Sequence, residues 1–336
     1  MGAGIVQIAR TSGSYCGGGI TNLPAMDIGR MTTALREILK TYLKPNGFWR
    51  DHGNRGAIEP TCLGLLALRQ EKDPEITLAI QMLHHLQNED GSWSAFAGDE
   101  PAGCWTTALA ILALLAVGSR SGALEVATQW LVDAKGREAN WFWRWKFQTV
   151  DKSVLFNPAK YGWSWVSGTT SWVIPTAFAL IALQQIKSRG LNPTGSIVER
   201  IDIGITMLLD RMCPGGGWNA GNGTAFGVPY APYLDATGIA LLALADHEEE
   251  LGVRASLSWL LNQLSGCPSP YSLAWGILAL AAYRETSSEV SETVGRATKE
   301  LTALIEKRVR TNDICTLALC VLALEAAEGD NVFEVQ

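Results

Sequence analysis

No apolar run in this chain is long enough to cross a bilayer. The longest, Ala108–Val117, falls well short of the roughly 20 residues required. The N-terminus has no charged segment leading into an apolar one, which argues against a signal peptide. Met1-Gly2 is not followed by a myristoylation pattern, because Val6 stands where Ser or Thr is needed. Basic residues are neither numerous nor clustered: 27 Lys and Arg face 33 Asp and Glu, for a net charge of −6. That excludes the electrostatic footprint of a nucleic-acid-binding protein. The 7 cysteines are odd in number. Several of them (Cys62, Cys104, Cys315, Cys320) lie in apolar stretches, where a free thiol behaves as a small buried hydrophobe. A reduced, cytoplasmic setting is expected rather than a disulfide framework.

What the chain has is repetition. Asn157–Trp165 is a Gly-aromatic turn. Ser171–Ala177 brings a Trp and a Pro-Thr to a helix start, and an apolar helix then runs through Ala182-Leu183. The same module recurs from Glu59-Pro60-Thr61 to Ala67-Leu68, from Trp105-Thr106-Thr107 to Ala113-Leu114, and from Leu234-Asp235-Ala236-Thr237 to Ala243-Leu244. Weaker copies run from Tyr271 to Leu280 and from Cys315 to Leu324. About six copies at intervals of roughly 35–70 residues point to a repeat architecture.

Amphipathic helices alternate with these modules. Asp27 caps the first, which runs to about Leu43. Others are expected over Glu75–Leu86, Leu124–Ala134, Ile197–Met212, Val253–Leu264 and Val290–Val309. A helix apolar on all sides must be buried on all sides, whereas an amphipathic one buries a single face. Six of each kind therefore predict an all-α fold, an α6/α6 toroid whose apolar ring is sheathed by the amphipathic one. It spans residues 27–330 as one domain, after an irregular Gly-rich arm at 1–26. The segment 136–170 interrupts the pattern. In Trp141-Phe142-Trp143-Arg144-Trp145-Lys146-Phe147 the tryptophans alternate, so an aromatic β-hairpin is expected, with Tyr161–Val166 as its second strand. It reads as a structural clasp or a lid.

Gln87-Asn88-Glu89-Asp90-Gly91-Ser92-Trp93 is Gln-x-x-x-Gly-x-Trp, and it resembles the QW repeat of squalene and oxidosqualene cyclases. Gly47-Phe48-Trp49, Gly216-Gly217-Trp218 and Gly162-Trp163 keep parts of it. Over roughly residues 28–330 the chain resembles the terpenoid cyclase and protein prenyltransferase superfamily. Those motifs imply fold, since a Gly turn ends the outer helix, the Trp packs between outer helices, and the Gln ties down a helix end. Fold alone does not choose among the functions this architecture hosts.

The resemblance also supplies site expectations. Class II cyclases carry Asp-x-Asp-Asp-Thr, whose middle Asp is the proton donor; Tyr233-Leu234-Asp235-Ala236-Thr237 places Asp235 there, with Tyr233 and Ala236 replacing the supporting carboxylates. The alternative is that Asp235 only caps its helix. Prenyltransferase β subunits bind zinc through Asp-x-Cys and a later His. Asp313-Ile314-Cys315 matches the pair, but the four histidines, His52, His84, His85 and His247, all precede it. Capping by Asp313 beside a buried Cys315 is favoured there. Gly103-Cys104-Trp105-Thr106 departs from a thioester motif, and the absence of any Asp-Asp argues against class I diphosphate ionisation.

Aligning the modules gives an independent reading. The residue two before the Thr is Glu59, Trp105, Ile174 and Asp235 in the first four modules, with Tyr271 and Cys315 following on a looser alignment. The first and fourth positions of a six-fold ring are opposite. Helix axes about 8–10 Å apart leave a central gap on the order of 6–10 Å between facing side chains. Trp105, Trp172, Tyr233, Tyr271 and Trp275 would wall it, and aromatic faces stabilise cations. The expected function is therefore acid-initiated cyclisation of an isoprenoid, with Asp235 as acid and Glu59 as second carboxylate. Arg50, His52 and Arg55 stand ready for an anionic head group, or form a solvated turn. No cofactor is expected, magnesium entering only with a diphosphate substrate. Two alternatives stand beside this. One is a non-catalytic toroid that binds a lipid or a partner protein and touches membranes only peripherally. The other is a carbohydrate-active α6/α6 barrel, because the carboxylate gap overlaps that of inverting glycosidases.

Overall fold

The computed structural model describes residues 27–44, 46–48, 56–99, 101–119, 122–151, 156–191, 195–308 and 313–335. The expected N-terminal arm lies outside them. In chain order the helices are α1 (Ile28–Tyr42), α2 (Ile58–Ala67), α3 (Pro74–His85), α4 (Cys104–Ala116), α5 (Gly122–Asp133), α6 (Trp141–Thr149), α7 (Val173–Ser188), α8 (Gly195–Asp210), α9 (Leu234–Ala243), α10 (Leu251–Leu264), α11 (Pro270–Ala282), α12 (Ser288–Arg308) and α13 (Ile314–Ala327). Asp27 caps α1 by accepting the Arg30 N–H at 2.8 Å. Almost every residue of α2, α4, α7, α9, α11 and α13 is buried, whereas α1, α3, α5 and α10 bury one stripe.

The buried helices close on themselves. α2 packs on α4, α4 on α7, α7 on α9, α9 on α11, α11 on α13, and α13 returns to α2. Each amphipathic helix lies outside this ring: α3 on α2, α5 on α4, α8 on α7, α10 on α9, α12 on α11 and α1 on α13. Gly238 lets α9 approach α11, since a Cβ there would stand 2.7 Å from the Trp275 carbonyl oxygen. Ion pairs bind the seam where α13 meets α1 and α2. Glu325 of α13 accepts from Arg36 of α1 and from Arg69, just beyond α2, the latter at 2.5 Å; Arg69 also reaches Asp330 at 2.5 Å. Burial works against the Arg69 charge, but Glu325 and Asp330 outweigh it and raise its pKa. Breaking such a buried pair from one side costs about 3–5 kcal/mol.

One hydrogen-bonded clamp sets four of the six inner helices against the preceding turn. Thr61, Thr107, Thr176 and Thr237 stand in the first turns of α2, α4, α7 and α9. Their hydroxyl oxygens accept the backbone N–H of Phe48, Trp93, Trp163 and Trp218 at 2.9–3.0 Å. The three tryptophans are fully buried, and their indole N–H groups donate at 2.7 Å to the carbonyls of Leu83, Leu131 and Leu208 near the ends of the outer helices. Gln87 donates to Gly91 O and to Ala123 O of the next outer helix. Gly91 holds φ +93°, and a Cβ there would meet Val126 of α5 at 2.6 Å. The Gln and Gly of the motif thus join successive outer helices, while the Trp hangs from its own.

The expected aromatic β-hairpin is not there. Trp141–Thr149 is α6, and the strands described are three short antiparallel pairs elsewhere: β1 (Leu43–Lys44) with β2 (Gly47–Phe48), β3 (Trp93–Ser94) with β4 (Ala102–Gly103), and β5 (Thr224–Ala225) with β6 (Val228–Pro229). Two physical causes override the period-two reading. Asn140 caps the helix by accepting the Phe142 N–H at 2.9 Å, and the aromatics also satisfy helical spacing, Trp143 meeting Phe147 and Phe142 meeting Trp145. The intended partner strand is already engaged, with Trp163 N–H on Thr176 and Val166 bridged to Gly103.

Two measurements check this account. Thr107→Val keeps the shape but strands the Trp93 N–H, so urea unfolding should show a loss of roughly 1–3 kcal/mol; a loss near zero would contradict the clamp. Burial also lifts the thiols above their ordinary value of 9.0, Cys104 to about 11 and Cys320 to about 12. The unfolded chain ionises these groups first, so their contribution is complete below about pH 9 and fades as pH rises towards 11–12. Stability measured from pH 8 to 11 should fall less steeply in Cys104→Ala/Cys320→Ala than in the parent chain.

Candidate functional site

The clamp fixes what faces what. Because Thr61, Thr107, Thr176 and Thr237 hold equivalent bonds, Glu59, Trp105, Ile174 and Asp235 occupy equivalent positions at one end of the ring, here called the mouth. Glu59 lies in the first turn of α2 and Asp235 in that of α9, three steps apart around six helices and therefore opposite. Both carboxylates are half-buried. On one side the arc between them runs through α11 and α13, which bring Tyr271 and Cys315.

Electrostatics tie this arc together. Burial is the main cause that pushes the Tyr271 hydroxyl far above its ordinary value, and the charges of Glu59 and then Asp235 add to it. The same phenol therefore feels both carboxylates. Cys62, one helical turn below Glu59, is raised well above 9.0, first by burial and then by Glu59 and Cys315. The mouth thus gathers Glu59, Cys62, Tyr271, Cys315 and Asp235.

One turn beyond Tyr271 on α11 lies Trp275, 1% exposed. Its ring meets Tyr271 at 6.5 Å, Phe178 of α7 at 5.6 Å and Phe333 at 5.3 Å. The Trp275 indole N–H is buried with no acceptor at hydrogen-bonding geometry. Its contact with the Tyr271 hydroxyl still works against the rise in that group's pKa, and by more than the Asp235 charge adds to it, so the two groups are close without a well-formed bond. Module alignment could not find Phe178 or Phe333: the first hides in an apolar run, and the second follows the last helix.

The other expected wall residues are placed differently from one another. Trp105 is half-buried and meets Trp165 edge-on at 5.2 Å, which ties the 136–170 insertion to the start of α4. Trp172, 37% exposed, and Tyr233, 57% exposed, come together with Tyr230 and Asn219 in an open groove of about 280 Å³. Arg50, His52 and Arg55 lie outside the described residues. Asp313 caps α13, accepting from Cys315 N at 3.2 Å and from the Thr316 hydroxyl at 2.6 Å. Among the described residues no group of three or more His, Cys, Asp or Glu is arranged to hold a metal ion, and no helix is long and apolar enough to cross a membrane.

No family model matches the chain, and no curated protein does. Solved structures do. The type II terpene cyclase MstE from Scytonema matches at a TM-score of 0.61 and 13% identity, over 90% of this chain and 98% of that one. The ent-copalyl diphosphate synthase from Streptomyces platensis matches at 0.55 and 17%, over 81% of this chain and 50% of that one. A structure described as a novel alpha-amylase from Clostridium perfringens matches at 0.59 and 13%, over 90% and 99%. At such identities the likeness is one of fold, and the fold of this chain is the α/α toroid that these solved structures share.

Proposed function

We propose that this chain is a terpene-cyclase-like enzyme that cyclises an isoprenoid by acid initiation at the mouth of the inner ring. The observation that carries the reading is the placement of Asp235 opposite Glu59, with Tyr271 sensing both and aromatic rings meeting edge-on one turn beneath. The Asp235 carboxylic acid gives its proton to one carbon of a double bond, and the other carbon becomes a cation. The faces of Trp275 and Phe178 stabilise that positive charge. Ring closure moves the cation along the chain. Glu59 then takes a proton from a neighbouring carbon, so the reaction is an isomerisation with no net gain or loss of atoms. Proton exchange with solvent at the mouth then resets Glu59 and Asp235, while burial keeps the Tyr271 hydroxyl protonated between them.

A second reading has an observation of its own. Two facing carboxylates also suit hydrolysis of a glycosidic bond, and a toroid described as an alpha-amylase shares the fold. The surroundings favour the isoprenoid. Cys62, Cys315 and Trp275 are neighbours suited to a hydrocarbon, and a sugar demands many more hydrogen-bonding partners.

Purified protein incubated with squalene and with linear prenyl diphosphates should yield a cyclised product. Asp235→Asn should lower that yield by about 10²–10⁴-fold, the span of general acid catalysis, with unchanged folding. Equal product from both proteins would remove Asp235 from the chemistry. Release of reducing sugar from an α-glucan, with no isoprenoid turnover, would transfer the two carboxylates to the hydrolytic reading.

A further inference from the structure

Residues 134–150 reverse the charge balance of the chain. They carry four basic side chains, Lys135, Arg137, Arg144 and Lys146, and one acidic one, Glu138, in a protein whose net charge is −6. Glu138 is fully buried and engaged elsewhere: both its oxygens lie 3.2 Å from the Ser171 N–H they accept, and Arg211 is 3.9 Å away. Among the described residues no carboxylate pairs with any of the four bases. Like charges gathered without a counter-charge repel one another, and an anionic ligand relieves that repulsion.

Two of these bases line an open cleft of about 500 Å³, together with Asn140, Trp143 and Gly168. The Arg137 guanidinium is positioned there without being neutralised. Its Nε donates to Gly168 O at 2.7 Å, and it lies over the Trp143 ring at 4.8 Å. Its two Nη groups have no hydrogen-bond partner among the described residues. Lys146 packs on the same ring at 4.7 Å, and Lys135 is exposed at the cleft. Asn140 caps α6, so the positive end of that helix's dipole borders the cleft as well. A guanidinium fork with free N–H groups, two further cations and a helix start exceed what a carboxylate needs. They match a phosphate monoester, which carries roughly −1.5 to −2 charge and three acceptor oxygens.

The neighbouring face of α6 says what such a phosphate is attached to. Trp141, Phe142 and Trp145 are 77%, 46% and 53% exposed on a helix of nine residues. The Phe142 ring lies 6.0 Å from Trp141, 6.3 Å from Trp145 and 5.9 Å from Trp143, so the exposed rings run on into the one that lines the cleft. A contiguous apolar surface rimmed by polar groups marks a place of contact. We propose that the cleft binds the phosphate group of a phosphorylated amphiphile, whose apolar part lies along Trp141, Phe142 and Trp145. None of these residues belongs to the mouth, so the site is distinct from Asp235 and Glu59 and does not depend on the chemistry there. Such a ligand has two sources, a single molecule in solution and a lipid head group at a membrane surface.

Calorimetric titration of the full chain with octyl phosphate, inorganic phosphate and octanol measures head and tail apart. Octyl phosphate should bind most tightly, with inorganic phosphate weaker and octanol weakest. Arg137→Gln should weaken both phosphates by about 10–100-fold, the loss of a hydrogen bond to a charged group. Trp141→Ser should weaken octyl phosphate several-fold and leave inorganic phosphate unchanged. Lys135→Gln repeats the charge test if Arg137→Gln does not fold. Sedimentation with phosphatidylcholine vesicles, with and without phosphatidic acid, assigns the source. Binding only where phosphatidic acid is present supports the membrane head group, and binding of octyl phosphate without sedimentation supports the single molecule. No binding of octyl phosphate, octanol bound as tightly as octyl phosphate, or equal affinity in the parent and the folded charge variants overturns the phosphate site. Unchanged octyl phosphate affinity in Trp141→Ser overturns its apolar half.

Discussion

A threonine hydroxyl in the first turn of four inner helices accepts the N–H of an aromatic residue one module upstream. The rest of the structure depends on that bond. It fixes the height of those four helices relative to the turns before them, and in three of the four a buried indole fixes the turn relative to the outer helix. Repetition of one local geometry therefore becomes a ring whose members start at a common level. Without that common level, residues far apart in sequence would not share a mouth.

Closure of the ring creates a different problem from stacking. An open array of helix pairs can end in polar caps, but a closed one must join its first and last members. The joint here is electrostatic as well as apolar. Glu325 lies between Arg36 and Arg69, and Asp330 extends the pairing into the segment that carries Phe333. The seam and the segment after α13 are thus secured by neighbouring groups.

The elements differ in how readily the chain alone discloses them. Alternation of wholly apolar with one-faced helices follows from residue type and spacing, and the observed order α1 to α13 follows it apart from α6. Asp235 and Glu59 were visible because they hold fixed positions relative to a threonine that recurs. Trp275 was visible by helical spacing from Tyr271. Phe178 and Phe333 were not, because their role is a meeting of three segments across the ring, which no local pattern encodes. The aromatic run at 141–147 misled for a related reason. Its residues satisfy both a two-residue and a four-residue period, and the choice was made by Asn140 and by the prior engagement of Trp163.

By itself the sequence determined that this chain buries six apolar helices under six amphipathic ones, because hydrophobic periodicity is a property of neighbours along the chain. It also determined which carboxylates open those helices. The tertiary structure decided that Tyr271 senses both of them, and that rings from α7, from α11 and from the segment after α13 meet at Trp275. Those outcomes depend on distances across the ring, and such distances exist only once the last helix has returned to the first.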